Sequence, residues 1–423
     1  MSGVTGSHKG DALQDQGLLG SRADDTSRPE VVLACLDAGE IADLDPNGWD
    51  ELSRHALEPN PFYSRGYVLA GLQTIDRHIG LRIGVMTAAG RMIGLFPFHR
   101  RGPRGRGIAI AAGNLYQFCG TPLVHRDYAE AVLERWTVAA RQGELPALWR
   151  FNHIGLEGPL MALWARVLAR HGHVLRRIYQ YERPRLTYTE GGFETHCRQF
   201  VSKTRVKDVQ RTIRRLEELG KLRFERATHA ADIRQRLEDF LAIENAGWKG
   251  RAGSSFLARP QDARFARLAF RGGQGLGTGS GTGIGTGAIP GSATTVTDSL
   301  LLDDKPIAVS LNLVAGNTMF TPKTTYDEAY RRYSPGLVLE VRVMQAFFDE
   351  HAGSAAANGA AMDAATTMDG HLVQGLWNTT RMMGSVLIGP DRRRTYAQAL
   401  YESGHHRLRE AAKTYLKGYR GLK

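Results

Sequence analysis

The chain has 423 residues, with 55 Lys and Arg against 43 Asp and Glu for a net charge of +12, and it is 42% hydrophobic and 23% charged. Such a composition excludes a disordered, collagen-like or disulfide-stapled chain, and the length exceeds what one core usually organises, so two domains are expected. No run approaches the ~18 apolar residues of a membrane span, the segment before Glu30 lacks the apolar centre of a signal peptide, and Cys35, Cys119 and Cys197 have neither disulfide nor zinc spacing; a cytoplasmic protein without a metal is expected.

Residues 1–29 read as a disordered start and 30–190 as a first domain. Pro46 to Ala56 forms an amphipathic helix through Trp49, Leu52 and Ala56. Leu81 to Thr87 and Met92 to Phe98 form a hairpin around Gly90, followed by a basic loop from His99 to Arg106. Strands are expected at Ile108 to Phe118 and Leu148 to Ile154, with a helix at Ala129 to Arg141 between them. A second helix runs from Leu160 to Arg170, with Pro159 at its first position and Gly172 just past its end.

The second domain, 191–390, opens with a helix from Ser202 to Leu219 that Gly220 ends. Val206, Val209, Ile213 and Leu216 make its core stripe; Lys203, Lys207, Arg211, Arg214 and Arg215 make a basic stripe that suits a phosphate, an anionic partner or plain water. A strand at Lys221 to Arg226 and a helix at Ile233 to Gly247 lead to GWKGRAGSSF, which exposes Trp248 and Lys249. The glycine-rich stretch 272–291 is too poor in apolar surface to order itself, and without a flanking strand and helix it is no nucleotide loop. Thr297 to Leu302, Ile307 to Val314 and Asn317 to Lys323 form an antiparallel meander, then a helix runs from Leu337 to Glu350. A strand at Ala360 to Ala364, a short helix at His371 to Trp377, a strand at Ser385 to Ile388 and a basic helical tail, 391–423, complete the chain.

The segment TTYDEAYRRYSPGL carries the candidate chemistry. Ser334, Pro335, Gly336 and Leu337 begin a helix, whose free N–H groups and positive dipole end suit a pyrophosphate. Asp327 and Glu328 are candidate bases, Tyr326, Tyr330 and Tyr333 candidate proton donors or pocket walls, and Lys249 a candidate phosphate contact. Metalloprotease, nucleophile-elbow and P-loop patterns do not occur.

GWDEL, EPNPFYS, GLFPFH and YQFCGTPLV in the first half, and SKTRVKDVQRTIRRLEELG, FLAIENAGWKGRAGSSF and TTYDEAYRRYSPGLVLE in the second, resemble the CelD-type acyltransferases of cellulose and exopolysaccharide biosynthesis over about residues 45 to 390. These are members of the GNAT superfamily related in architecture to FemAB-like transferases. The glycine-rich stretch departs from the pattern, as does MDAATTMDGHLVQGLW, where similar proteins carry a glycine and a tyrosine-lysine pair before the tryptophan. The resemblance implies an α/β fold of two GNAT-like acyl-CoA N-acyltransferase domains in tandem. It also implies acetyl-CoA or another acyl-CoA as donor, a polysaccharide or envelope-precursor acceptor, and YSPGL in the position of the pyrophosphate loop, with Tyr333 to Leu337 and Lys249 around the donor. Asp327, Glu328 and Tyr330 are then the catalytic candidates. The basic surface suits an anionic membrane or a synthase. Two alternatives stay open: a FemAB-like transferase using charged tRNA, and a non-catalytic accessory protein of an exopolysaccharide machine.

Overall fold

The computed structural model describes residues 30–102, 107–111, 113–272, 294–354, 357–366 and 372–420, with side chains to 412. The expected disordered start, and the glycine-rich stretch beyond Gly272, lie outside these residues. Among the described residues thirteen strands form one sheet: β1 (Val32–Leu36), β2 (Arg82–Ala88), β3 (Arg91–Arg101), β4 (Ile108–Ala111), β5 (Leu123–Val124), β6 (Trp149–Gly155), β7 (Val174–Thr187), β8 (Leu222–Ala227), β9 (Thr294–Leu302), β10 (Lys305–Ala315), β11 (Thr318–Tyr326), β12 (Ala361–Asp363) and β13 (Thr379–Gly389). Their order is β1-β2-β3-β4-β6-β13-β7-β12-β11-β10-β9-β8, with β5 added beside β3.

Two α/β units are visible in that order. The first half contributes β1 to β6, with the parallel pair β4/β6, and the second contributes β8 to β12, with the parallel pair β11/β12. The closing strands are exchanged. β7, from the first half, pairs with β12 of the second, and β13, at the end of the second, pairs with β6 of the first. β7 and β13 also pair with each other from Val174↔Gly389 to Arg185↔Thr379. Separating the halves breaks this central ladder, so thermal unfolding is expected as a single calorimetric transition; two resolved transitions would contradict the exchange.

The helices form for local reasons. Pro159–Arg170 starts on a proline and buries Leu160, Trp164, Val167 and Leu168, with Trp164 edge-on to Trp136 of helix Ala129–Gln142 at 4.9 Å. Lys203–Glu217 is capped by Ser202, whose side chain accepts from Arg205 N at 3.2 Å, and it buries Val209 and Leu216. Pro335–His351 covers one face of β9 to β11 with Val338, Leu339, Val343, Met344 and Phe348. The opposite face packs Phe240, Phe256, Phe265 and Phe320 of the second half against Phe62, Tyr67 and Tyr116 of the first.

Three expected elements differ: of the basic loop expected from His99 to Arg106, His99 to Arg101 instead continue β3, paired with Ile110 to Ile108 of β4. The strand begun at Ile108 ends at Ala111, because Asn114 turns the chain, its side chain accepting from Tyr116 N at 2.9 Å and its carbonyl from Gln117 N at 3.1 Å. The expected helix at His371 to Trp377 is instead a set of turns over 372–376, where Gly375 has φ +75°.

Candidate functional site

β12 pairs with β11 only from Thr318 to Phe320. Beyond Phe320 the two strands part, and from Thr321 to Tyr326 no strand among the described residues pairs with that edge of β11, while its other edge pairs with β10 again from Lys323 to Tyr326. Backbone groups along such an edge need partners.

The expected loop closes one end of this parting. Asp327 caps a 3-10 turn, Glu328–Tyr333, its side chain accepting from Ala329 N at 3.0 Å. Glu328 accepts from Trp248 N at 2.7 Å and from the Arg251 guanidinium at 2.6 Å. These bonds, the Arg251 one foremost, hold its carboxyl below the usual range, which suits tying WKGR to the loop better than receiving a proton. Tyr330 and Tyr333 are partly buried against the helix Pro335–His351. Ser334 stands in the left-handed region (φ 47°, ψ 52°) and reverses the chain into Pro335, the helix's first residue. Its carbonyl accepts from Leu337 and Val338 N at 3.0 and 3.2 Å.

Pro335, Gly336 and Leu337 are buried, whereas Ser334 is exposed. A Cβ on Gly336 would meet Tyr326 at 3.5 Å and Leu372 at 3.8 Å, ordinary contacts that do not demand glycine. The basic stripe comes to this loop: the guanidinium of Arg215 lies 5.6 Å from the Tyr333 ring centroid and that of Arg332 lies 4.7 Å from it.

Lys249 lies elsewhere. Trp248 is 58% exposed, but the Lys249 ammonium turns back to Glu244 at 3.0 Å, and the other Glu244 oxygen accepts from Phe256 N at 2.9 Å. Gly250 of the same segment has no alternative, since a Cβ there would sit 1.7 Å from Asn245 O. Beside Lys249 is Lys323 of β11, at the end of the strand expected from Asn317 to Lys323. It shares the face of Leu311, its register partner, and its Nζ lies 4.9 Å from the Tyr116 ring centroid and 5.0 Å from that of Phe256. Tyr116 in turn donates to Asp262 at 2.8 Å.

Where the strands part, β7 supplies Arg183, fully buried. Its guanidinium faces Asp363 at 3.3 Å and donates to Thr366 O at 3.1 Å, Phe118 O at 2.6 Å and Tyr181 Oη at 2.9 Å. His153 Nδ1 lies 2.9 Å from the same Tyr181 oxygen. Burial first, then Arg183 and Arg150, pushes His153 down to about 4, so its ring is neutral near pH 7. Asp363 Oδ1 also accepts from Ala365 N at 2.8 Å, and its Oδ2 has no partner among the described residues. Nor do the described residues contain three or more His, Cys, Asp or Glu grouped to hold a metal ion, or a helix long and apolar enough to cross a membrane.

Residues 202–353 match the acetyltransferase (GNAT) domain family. The match runs from the cap of the basic helix to just past the helix Pro335–His351, and so spans the loop and the unpaired edge of β11. Among solved structures, one named FemX superposes with a TM-score of 0.51 at 10% identity, over 81% of this chain and 96% of that one. The C-terminal domain of a putative lysylphosphatidylglycerol synthetase from Agrobacterium fabrum gives 0.49 at 13% identity, over 86% and 96%. A tandem GNAT protein from the clavulanic acid biosynthesis pathway gives 0.39 at 13%, over 85% and 98%. No curated protein matches the sequence. The fold is therefore that of two α/β units, the second of which contains the match to the GNAT domain. Residues 202–353 thus carry a GNAT-type acetyltransferase domain, the part of the chain that marks it as an acyltransferase.

Proposed function

We propose that the protein moves an acyl group from acetyl-CoA or another acyl-CoA to an amine or hydroxyl of a polysaccharide or cell-envelope precursor. The observation that carries this reading is the helix start at Ser334–Leu337, at the end of the unpaired stretch of β11 and within the segment matching the GNAT family. The donor's amides bond the free edge of β11, and its diphosphate meets the Gly336 N–H, the dipole of a 17-residue helix and the charges of Arg215 and Arg332. Tyr333 and Tyr330 wall the loop, Asp327 and Glu328 hold its shape, and Lys249 stands on the acceptor side. The acceptor part of the reading rests on the CelD-type resemblance, as does a cytoplasmic setting beside a synthase or an anionic membrane.

Acetyl-CoA at a hundred times its dissociation constant is expected to stabilise the protein by about 2.7 kcal/mol. Gly336→Asp, whose Cβ fits but whose carboxylate repels a diphosphate, is expected to abolish that gain without changing the unliganded melting temperature by more than a few degrees. No shift with acetyl- or longer acyl-CoA, together with salt-sensitive tRNA binding, would replace this reading with the aminoacyl-tRNA one. Co-purification with a synthase and no ligand binding would instead favour the accessory protein.

A further inference from the structure

Lys323 projects from the unpaired stretch of β11, three residues beyond the last β12-paired position, Phe320. It does so on the side where the two halves meet, between Tyr116 of the first and Phe256 of the second. Each neighbouring titratable group is already engaged. Glu244 holds Lys249 and Phe256 N, and Asp262 holds the Tyr116 hydroxyl. The Lys323 ammonium has neither a hydrogen bond nor an ion pair among the described residues; its close partners there are the two aromatic rings.

Other candidate bases near the parting are less free. Glu328 is bound by two donors, Asp327 caps its own turn, and His153 Nδ1 is taken by Tyr181. The Lys249 ammonium is taken by Glu244 at 3.0 Å.

We infer that Lys323 receives the proton of the acceptor's amine or hydroxyl during acyl transfer, with the acceptor entering between the two halves, over Tyr116 and Phe256. The inference rests on the acyl-CoA reading above. In the step, the acceptor nitrogen or oxygen bonds to the thioester carbonyl carbon and the carbon–sulfur bond breaks with its electron pair on sulfur. The acceptor's proton passes to Nζ and from there to the departing thiolate, which regenerates the amine and releases the free thiol of CoA. The electrostatics support it: burial first, then the charge of Lys249, pushes Lys323 down to about 8, against the opposing pull of Glu244 and Asp262. A useful fraction is then the neutral amine near pH 7 to 8, where a proton acceptor is most effective.

Two measurements test it. Trace labelling with acetic anhydride between about pH 6.5 and about pH 10, read by peptide mass spectrometry, is expected to place the Lys323 midpoint near pH 8; a midpoint near the ordinary lysine value of about 10.4 overturns the inference whatever the donor. Release of CoA thiol from acetyl-CoA with water as acceptor is expected to climb through about pH 8 in the unaltered protein and to fall by about 100-fold near pH 8.5 in Lys323→Arg and Lys323→Met, with the acetyl-CoA thermal shift retained. Either variant keeping the rate and the pH limb overturns the assignment. Absence of an acetyl-CoA shift in the unaltered protein strikes the donor reading instead, and the labelling midpoint still decides the state of the lysine.

Discussion

Arg183→Met is expected to lower the unfolding free energy by about 3–5 kcal/mol, the cost of removing one partner of a buried ion pair. The loss is large because the guanidinium serves both halves: it faces Asp363 and donates to Thr366 O from the second, and to Phe118 O and Tyr181 from the first. Methionine fills the space but takes the guanidinium from those carbonyls and leaves the Asp363 carboxylate, only 1% exposed, with the Ala365 N–H and no counter-charge bonded to it. Urea unfolding measures the loss, and a change under about 1 kcal/mol would mean that the pair holds little. Adding Asp363→Asn to the variant removes the orphaned charge, so the double substitution is expected to recover about 1–3 kcal/mol relative to additivity. Since β12 ends at Asp363, Arg183 also fixes where β11 and β12 part, and Arg183→Met is expected to weaken acetyl-CoA binding along with the fold.

Glu340→Gln is expected to stabilise the protein near pH 8 by about 3 kcal/mol and to leave it nearly unchanged near pH 4. Glu340 is buried in the helix that begins at the loop and accepts from Trp377 Nε1 at 3.1 Å. Burial, with a smaller push from Asp298, raises its carboxyl from 4.5 to about 7 against the Trp377 hydrogen bond. Between those two values the folded chain keeps a proton that the unfolded chain has released. Stability therefore falls as pH rises through the window and stays reduced above it. Glutamine keeps the acceptor for Trp377 and removes the titration. Urea unfolding at the two pH values reads the difference, and an equal effect at both would show that Glu340 does not titrate upward in the fold.

The sequence pattern located the elements whose determinants are local. The helix Pro159–Arg170 has its proline, period and terminal glycine within one window, and Lys203–Glu217 has its serine cap and apolar stripe. The helix beginning at Pro335 was legible from SPG for the same reason. The central strand β7 was not. Arg176, Arg177, Glu182, Arg183 and Arg185 interrupt its apolar alternation, and Pro184 reads against a central strand. What makes it a strand is remote: Arg183 is neutralised by Asp363, and the Arg176 guanidinium sits 3.9 Å from the Tyr396 ring centroid on the C-terminal helix. β1 was missed as well, since VLACL carries no turn or alternation to mark it and gains its place only by pairing with β2. The candidate site divides the same way. YSPGL could be read as a helix start because that property is local. Lys323 was read only as the end of a strand, because Tyr116 and Phe256, which define its surroundings, lie far away in sequence. A signal was present: Lys323 is the single charged residue in TMFTPKTTY.

A donor lying along the free edge of β11 with its diphosphate at Ser334–Leu337 shields the amides there, and amide hydrogen exchange with and without acetyl-CoA reads that shielding. Slowed exchange is expected in peptides covering Thr321 to Tyr326 and Ser334 to Val338, with little change in β1 to β3. Protection confined to other elements, or none at saturating acetyl-CoA, would contradict it.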